Sequence, residues 1–413
     1  MSLLPVLPMV LLAAYTATTP AAPARPPVPA AADVVNAAPA VALAHDAGSS
    51  VAGADPVACT PASTQVHAAA VLVVGMPGVT RSQDPLARRL TDLGVGGVFV
   101  SESNISSAAQ LTGLLEDLHE RSERPLLVAA DQESGRVASL ADLLGAGPSP
   151  RELARTRTPD EVRHIAATLG TRLGRLGIDL DLAPVVDLDD GPVSGVIGDR
   201  SFSADPSVAA GYGLAFSAGL ADAGVIPTVK HFPGHGRSAT DTHRSSALVT
   251  TSIRALRTTD LLPFQQAIDA GAPVIMVNHL RYSALDPALP ASLAPETYAL
   301  LREMGFRGVV ITDSLGMGAV NTTWDFPEAA VMAVAAGADA VLATDGTHAE
   351  AMREALVDAV ADGTLPASRL AEAAARMAAL AGGDPESMSC LDLHLPALSV
   401  ITGPAGAAPA WGR

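Results

Sequence analysis

The sequence predicts an α/β fold, a single closed (β/α)8 barrel of the TIM type, with a disordered N-terminal segment before it and a short C-terminal tail after it. Three observations carry this. From Val66 onward, short apolar runs alternate with longer helix-like stretches, eight times over. The runs are rich in Val, Ile and Leu and mostly lack polar alternation, as parallel strands buried on both faces require. Eight such units within about 290 residues is the count that closes a barrel. A doubly wound open sheet is the alternative, but no Gly-rich dinucleotide fingerprint follows the first run.

In chain order the expected strands are Val71–Gly75, Gly97–Val100, Leu126–Ala130, Ile178–Leu182, Val225–Val229, Val274–Val277, Val309–Thr312 and Ala338–Leu342. Helix starts are expected at Asp160, as the cap of a helix running toward Gly174, and at Asp205-Pro206, Pro295-Glu296 and Pro327-Glu328, since Pro suits a first helical turn. The domain organisation that follows is residues 1–60 as a signal-like, Ala/Pro-rich linker segment, 61–385 as the barrel and 386–413 as the tail.

The N-terminal segment opens with an apolar run, Leu3 to Tyr15, too short to span a bilayer. It resembles a secretory signal with a small-residue cleavage site near Ala22-Pro23-Ala24, although no Lys or Arg precedes Arg25. The expected location is therefore secreted or in the cell envelope, and cytoplasmic if the segment is not a signal. Pro56-Val57-Ala58 before Cys59 is a poor lipidation signal. Cys59 and Cys390 are the two cysteines; they are either unrelated thiols or, in an exported protein, one disulfide tying the tails. The formal charge of −17 leaves no basic patch for phosphates, which argues against nucleic acid or an anionic membrane as partner.

In such barrels the active site forms where the strands end. The polar groups there are Asp131-Gln132-Glu133 after the third run, Asp181 and Asp187 at the fourth, and Lys230-His231 with His235 at the fifth. Asn278-His279, Thr312-Asp313-Ser314 and Asp345 follow at the sixth to eighth. Any one of them alone is as well explained as a helix cap or a buried hydrogen-bonding group. Their convergence on one rim points to a site for a polar ligand. His231, His235 and His243 lie close together, but Pro233, Gly234 and Gly236 break the helix that the common zinc motifs need, so no metal and no cofactor are expected. Asp241 and His243, two apart on a loop, can pair so that the carboxylate orients an imidazole able to give and take a proton. A loop-fastening role for the pair is the alternative, and for Asp313 it is the capping of a helix starting near Leu315.

Five stretches resemble glycoside hydrolase family 3, in its bacterial β-N-acetylglucosaminidase branch. They are Asp131-Gln132-Glu133-Ser134-Gly135-Arg136-Val137, Leu182-Ala183-Pro184-Val185-Val186-Asp187, Gly198-Asp199-Arg200-Ser201-Phe202, Lys230 to Gly236 with Asp241-Thr242-His243, and Thr312-Asp313-Ser314-Leu315-Gly316-Met317. The resemblance implies Asp313 as the nucleophile of a retaining double displacement, His243 as general acid/base and Asp241 as its assistant. It implies Asp131, Arg200, Lys230 and His231 as the groups holding the sugar. A His–Asp pair departs from the two carboxyl groups usual in retaining enzymes. Ser134 stands where the family usually has Gly. Phe202, Phe232, Tyr282 and Trp324 are the few aromatic candidates for sugar stacking.

The chain's length fits this branch. About 70 residues follow the eighth run, too few for a last helix plus the second domain that supplies the acid/base in larger relatives. The expected function is hydrolysis of terminal β-linked N-acetylglucosamine, with cell-wall muropeptides as its source. A phosphorylase using phosphate as acceptor, a β-glucosidase of the same family and a silent sugar-binding protein are the competing readings. The expected partner is a small carbohydrate, with no nucleic acid, no membrane-spanning segment and a monomeric chain.

Overall fold

The computed structural model describes residues 60–391, 393 and 395; the expected N-terminal segment, Cys59 and most of the tail lie outside them. Eight parallel strands form the barrel: β1 Leu72–Gly75, β2 Gly97–Val100, β3 Leu127–Ala130, β4 Leu180–Asp181, β5 Ile226–Phe232, β6 Val274–Val277, β7 Val309–Thr312 and β8 Val341–Ala343. Each pairs with its sequence neighbour, and β1 pairs with β8 through Leu72↔Val341. The circle closes between β7 and β8 through the Ile311↔Ala340 bridge and the Thr312 N–H to Ala340 carbonyl bond of 3.2 Å.

The missing polar alternation in the strands has its cause in two packed faces. Val73, Phe99, Leu127, Ala129, Leu180, Ile226, Met276 and Ile311 fill the barrel interior. Val74, Val98, Val128, Val229, Ile275 and Val310 pack outward under the helices. Beneath β8, the fully buried Asp339 accepts from Arg302 at 2.7 Å, from Arg369 at 2.6 Å and from the Val310 N–H, closing the end of the barrel remote from the strand termini.

Strand positions follow the expectations, and the differences are local. β4 has two residues rather than five, although the Asp179 and Leu182 N–H groups on either side still bond the Val128 and Ala130 carbonyls of β3; the Val128 N–H goes to the Asp179 side chain. β5 runs three residues beyond Val229 and takes the polar Lys230-His231 into the strand. Its register against β6 gains one residue between Val229↔Ile275 and Phe232↔Val277, a bulge of the kind that re-aims side chains at a site.

The helix Pro206–Asp222 is capped by Asp205 as expected, and Pro295–Glu303 begins at its proline. The helix Phe326–Ala336 starts one residue before Pro327, with Asp325 as its cap. The cap expected at Asp160 is instead Thr158. Its hydroxyl accepts the Glu161 N–H while Glu161 reaches back to the Thr158 N–H, so Asp160 lies in the first turn of Pro159–Leu176. Cys390 is disulfide-bonded; the expected pairing with Cys59 lies outside the described residues. No helix among the described residues is long and apolar enough to cross a membrane.

Candidate active site

The strand ends build a buried charge network. Glu133, just past β3, accepts a two-pronged bond from Arg200, with Nε–Oε2 and Nη2–Oε1 both at 2.7 Å. Lys230 Nζ lies 2.7 Å from Glu133 Oε1 and 2.6 Å from Asp131 Oδ1. Glu133 and Lys230 are buried, and Asp131 keeps its side chain 27% exposed, so it is the carboxylate of this group open to a ligand. Burial opposes ionisation of Glu133, but Arg200 and Lys230 outweigh it and hold its carboxyl well below the usual range. Burial also disfavours the Lys230 ammonium, and Asp131 and Glu133 reverse the balance, so its pKa is raised.

A second network crosses the first at His231. Its Nδ1 lies 2.6 Å from Asp187 Oδ2 and its Nε2 lies 3.1 Å from Arg200 Nη2. A guanidinium only donates, so Nε2 accepts and Nδ1–H donates to the carboxylate. Asp187 also accepts the His235 N–H at 2.7 Å. Burial would raise the Asp187 pKa; the His231 ring and the His235 N–H more than offset it and keep it low. The His235 ring is buried beneath, with Nε2 3.2 Å from Thr242 Oγ1 and its pKa lowered to about 4, chiefly by burial.

Asp313 stands at the end of β7, half-buried, its N–H bonded to the Val277 carbonyl of β6 at 2.8 Å. Its Oδ1 accepts the N–H of Ser314, the next residue, at 2.8 Å. No helix starts near Leu315. The short helix Gly318–Asn321 begins later with Met317 as its cap, so Asp313 is not a helix cap. Burial works against its charge, but the His279 and His231 rings, the Ser314 N–H and Lys230 prevail and hold it below the usual carboxylate range.

The loop after β5 brings His243 over the site. Asp241 Oδ1 accepts from both the His243 N–H and its Nδ1, each at 3.0 Å, so the imidazole is oriented while its side chain stays 73% exposed. Burial would raise the Asp241 pKa, and these two bonds lower it instead. Asp131, Glu133, Arg200, Lys230, His231, His235, Thr242, His243 and Asp313 line one cavity of about 180 Å³, walled by Val137, Val196, Met276 and Met317.

Six of the seven residues singled out from the sequence thus border one cavity, and the seventh, Asp241, orients one of the six. Other expectations fail. Phe202 and Phe232 are buried against Tyr212 and Phe264, and Tyr282 is buried with its hydroxyl on the Gly234 carbonyl, so none is free to stack on a sugar. Trp324 packs against the core and does not line the cavity. Asn278 donates to the His231 carbonyl and Tyr282; His279 bridges Ser292 and the Ser314 carbonyl; both are structural. Asp345 caps the turn at Thr347, away from the cavity. Glu133, Asp187 and His235 join the site beyond these seven; all three lie inside the quoted motifs just past strand ends, and that position is the signal the sequence carries for them. Among the described residues no group of three or more His, Cys, Asp or Glu side chains could hold a metal ion.

The model of the glycosyl hydrolase family 3 N terminal domain matches residues 64–380. The chain belongs to glycosyl hydrolase family 3. Within this family the chain is 36% identical to beta-hexosaminidase LpqI of Mycobacterium tuberculosis over 363 residues, covering 82% of this chain and 92% of that protein. The structure of a family 3 glycosyl hydrolase from Mycobacterium smegmatis superposes with a TM-score of 0.72 at 39% identity, covering 77% of this chain and 97% of the other. A family 3 beta-N-acetylglucosaminidase from Paenibacillus superposes with a TM-score of 0.72 at 31% identity, over 77% of this chain and 62% of the other. Family 3 membership makes the protein a glycoside hydrolase, and the strand-end cavity is where its carbohydrate is expected.

Proposed function

We propose that the protein is a retaining β-N-acetylhexosaminidase that releases terminal β-linked N-acetylglucosamine through a covalent glycosyl–enzyme intermediate. The observation that carries this reading is one cavity lined both by Asp313 on a rigid strand end and by His243 on its Asp241-oriented loop. Ser314 engages Asp313 Oδ1 and leaves Oδ2 for attack on the anomeric carbon. His243 protonates the departing oxygen, then takes a proton from the water that releases the sugar, and Asp241 offsets the charge the ring acquires. Asp131, Lys230, Arg200 and His231 hold the sugar from the opposite side, with the half-buried Asp131 carboxylate as the hydroxyl acceptor. The names of the relatives support the N-acetylglucosaminide over other hexosides.

The same reading places the enzyme outside the cytoplasm, acting on cell-wall muropeptides. The short apolar N-terminal run and the disulfide at Cys390 support export, since disulfides persist in oxidising compartments. We further take residues 61–385 as the catalytic barrel and the chain as a monomer.

The test is labelling with a 2-acetamido-5-fluoro glycosyl fluoride, together with a panel of chromogenic glycosides assayed with and without phosphate. One sugar per chain, mapped to Asp313, and an inactive but folded Asp313→Ala variant are expected. A label on another carboxylate removes Asp313 from the role. Sugar 1-phosphate in the phosphate arm makes the enzyme a phosphorylase, and preference for the glucoside makes it a glucosidase.

A further inference from the structure

The side chain of His243 is largely exposed, so packing does not fix it; its position depends on the backbone that carries it. That backbone is fastened to the segment that follows Asp313. The Gly318 N–H donates to the His243 carbonyl at 2.9 Å, and the Ala319 N–H donates to the Thr242 carbonyl at 3.0 Å. The receiving segment is itself fixed. Leu315 is fully buried and its N–H bonds to the Leu342 carbonyl of β8 at 2.8 Å, while Met317 closes a turn onto Ser314. From below, buried Thr242 meets the His235 ring, and the His235 backbone N–H is held by Asp187.

The approach at Gly318 admits no side chain. A Cβ placed there would lie 2.6 Å from the Arg244 carbonyl oxygen and 2.8 Å from that of His243. Both neighbours are backbone, so a methyl group must push the loop away rather than rotate a side chain aside. The need here is for space; the chain folds past Gly318 without a left-handed turn.

We propose that Gly318 is a positioning residue for His243: its missing side chain lets the acid/base loop latch onto the segment carrying Asp313, so that both groups share one rigid frame across the cavity. This rests on the roles proposed above for Asp313 and His243. It explains why a loop whose working side chain is in solvent can still serve a reaction in which small displacements cost large factors in rate.

The variant Gly318→Ala, with Thr242→Val as a milder loosening of the lower anchor, tests the latch in the full-length protein. Two readouts are needed. Hydrogen exchange across residues 236–247 reads the latch without substrate, and faster exchange of the 241–245 amides is expected in Gly318→Ala. Kinetics read its consequence. With N,N′-diacetylchitobiose, whose leaving group needs a proton, kcat/KM should fall tenfold or more; with a 2,4-dinitrophenyl N-acetylglucosaminide it should change less than about threefold, positioned acid catalysis being worth about 10²–10⁴-fold. Azide should then raise kcat on the aryl substrate, because it attacks the anomeric carbon and displaces Asp313 without giving up a proton, yielding the glycosyl azide. Thr242→Val should show the same pattern at smaller size. Unchanged exchange in Gly318→Ala, or equal losses on both substrates with no azide effect, overturns the proposal. Faster exchange in a protein whose wild type cleaves no N-acetylglucosaminide would support the latch and defeat the functional reading.

Discussion

Glu133 is the carboxylate on which the sugar-side network turns, and Glu133→Gln measures its worth. The substitution keeps the shape but replaces one anionic oxygen with an NH2 group, which would face donors. Arg200 loses at least one of its two 2.7 Å bonds, and Lys230 is left with Asp131 as its remaining carboxylate partner. Both cations are largely buried, and removing one member of a buried ion network costs about 3–5 kcal/mol. At about 2 °C per kcal/mol, the low end for large domains, the melting temperature at pH 7 should drop by about 6–10 °C. The pH dependence supplies a second check. The folded carboxyl is held below its ordinary value of 4.5, so its stabilisation is complete above that pH and is lost as the pH falls further toward the folded value. Glutamine does not titrate, so the gap between wild type and variant should be widest at pH 7 and narrow at pH 3.5. Thermal denaturation followed by circular dichroism at both pH values reads this. A loss below about 3 °C at pH 7, or a gap indifferent to pH, would refute the argument.

Asp181 should behave in the opposite sense. It is fully buried, one oxygen accepts the Gln132 N–H, the other has no partner among the described residues, and burial pushes its carboxyl well up. It therefore opposes folding increasingly as the pH climbs above its ordinary 3.8, and Asp181→Asn should compare better with wild type at pH 7 than at pH 4; a constant difference in melting temperature would show that the folded group is not protonated. Ser134 adopts φ 73°, a left-handed conformation that costs an ordinary residue about 1–2 kcal/mol. Ser134→Gly loses about 0.5–1 kcal/mol to chain entropy, so a net gain between zero and about 1.5 kcal/mol is expected in denaturant unfolding, and a loss would mean the serine hydroxyl stabilises the turn.

Much of this was legible in the sequence, for a physical reason. Strands buried on both faces read as unbroken Val, Ile and Leu, and a barrel needs all eight, so each run supported the others. The site was legible because Asp313, Lys230 and Asp131 directly continue such runs, and a barrel sends strand ends to one rim. What was hidden depended on geometry that no run encodes. The fate of Phe202, Phe232 and Tyr282 was set by which face of the chain turned inward, and an aromatic near a motif reads the same either way. The bulge in β5 adds one residue without a compositional mark, and the extension of the strand to Phe232 was missed with it. In sequence Gly318 is one glycine among many; only the fold puts a carbonyl where its side chain would be.

The pairing of β1 with β8 carries a consequence for how the protein is made. Leu72 and Val341 must meet across most of the chain, so neither β1 nor β7 has its second neighbour until the last strand has left the ribosome. Contacts between such distant segments form late and slowly. Asp313 sits on β7, beside that final seam. A nascent chain therefore holds Asp131, Arg200 and Lys230 before the frame around Asp313 is finished. The frame around the cavity is thus completed only when the last strand arrives, and a chain truncated before Val341 lacks it.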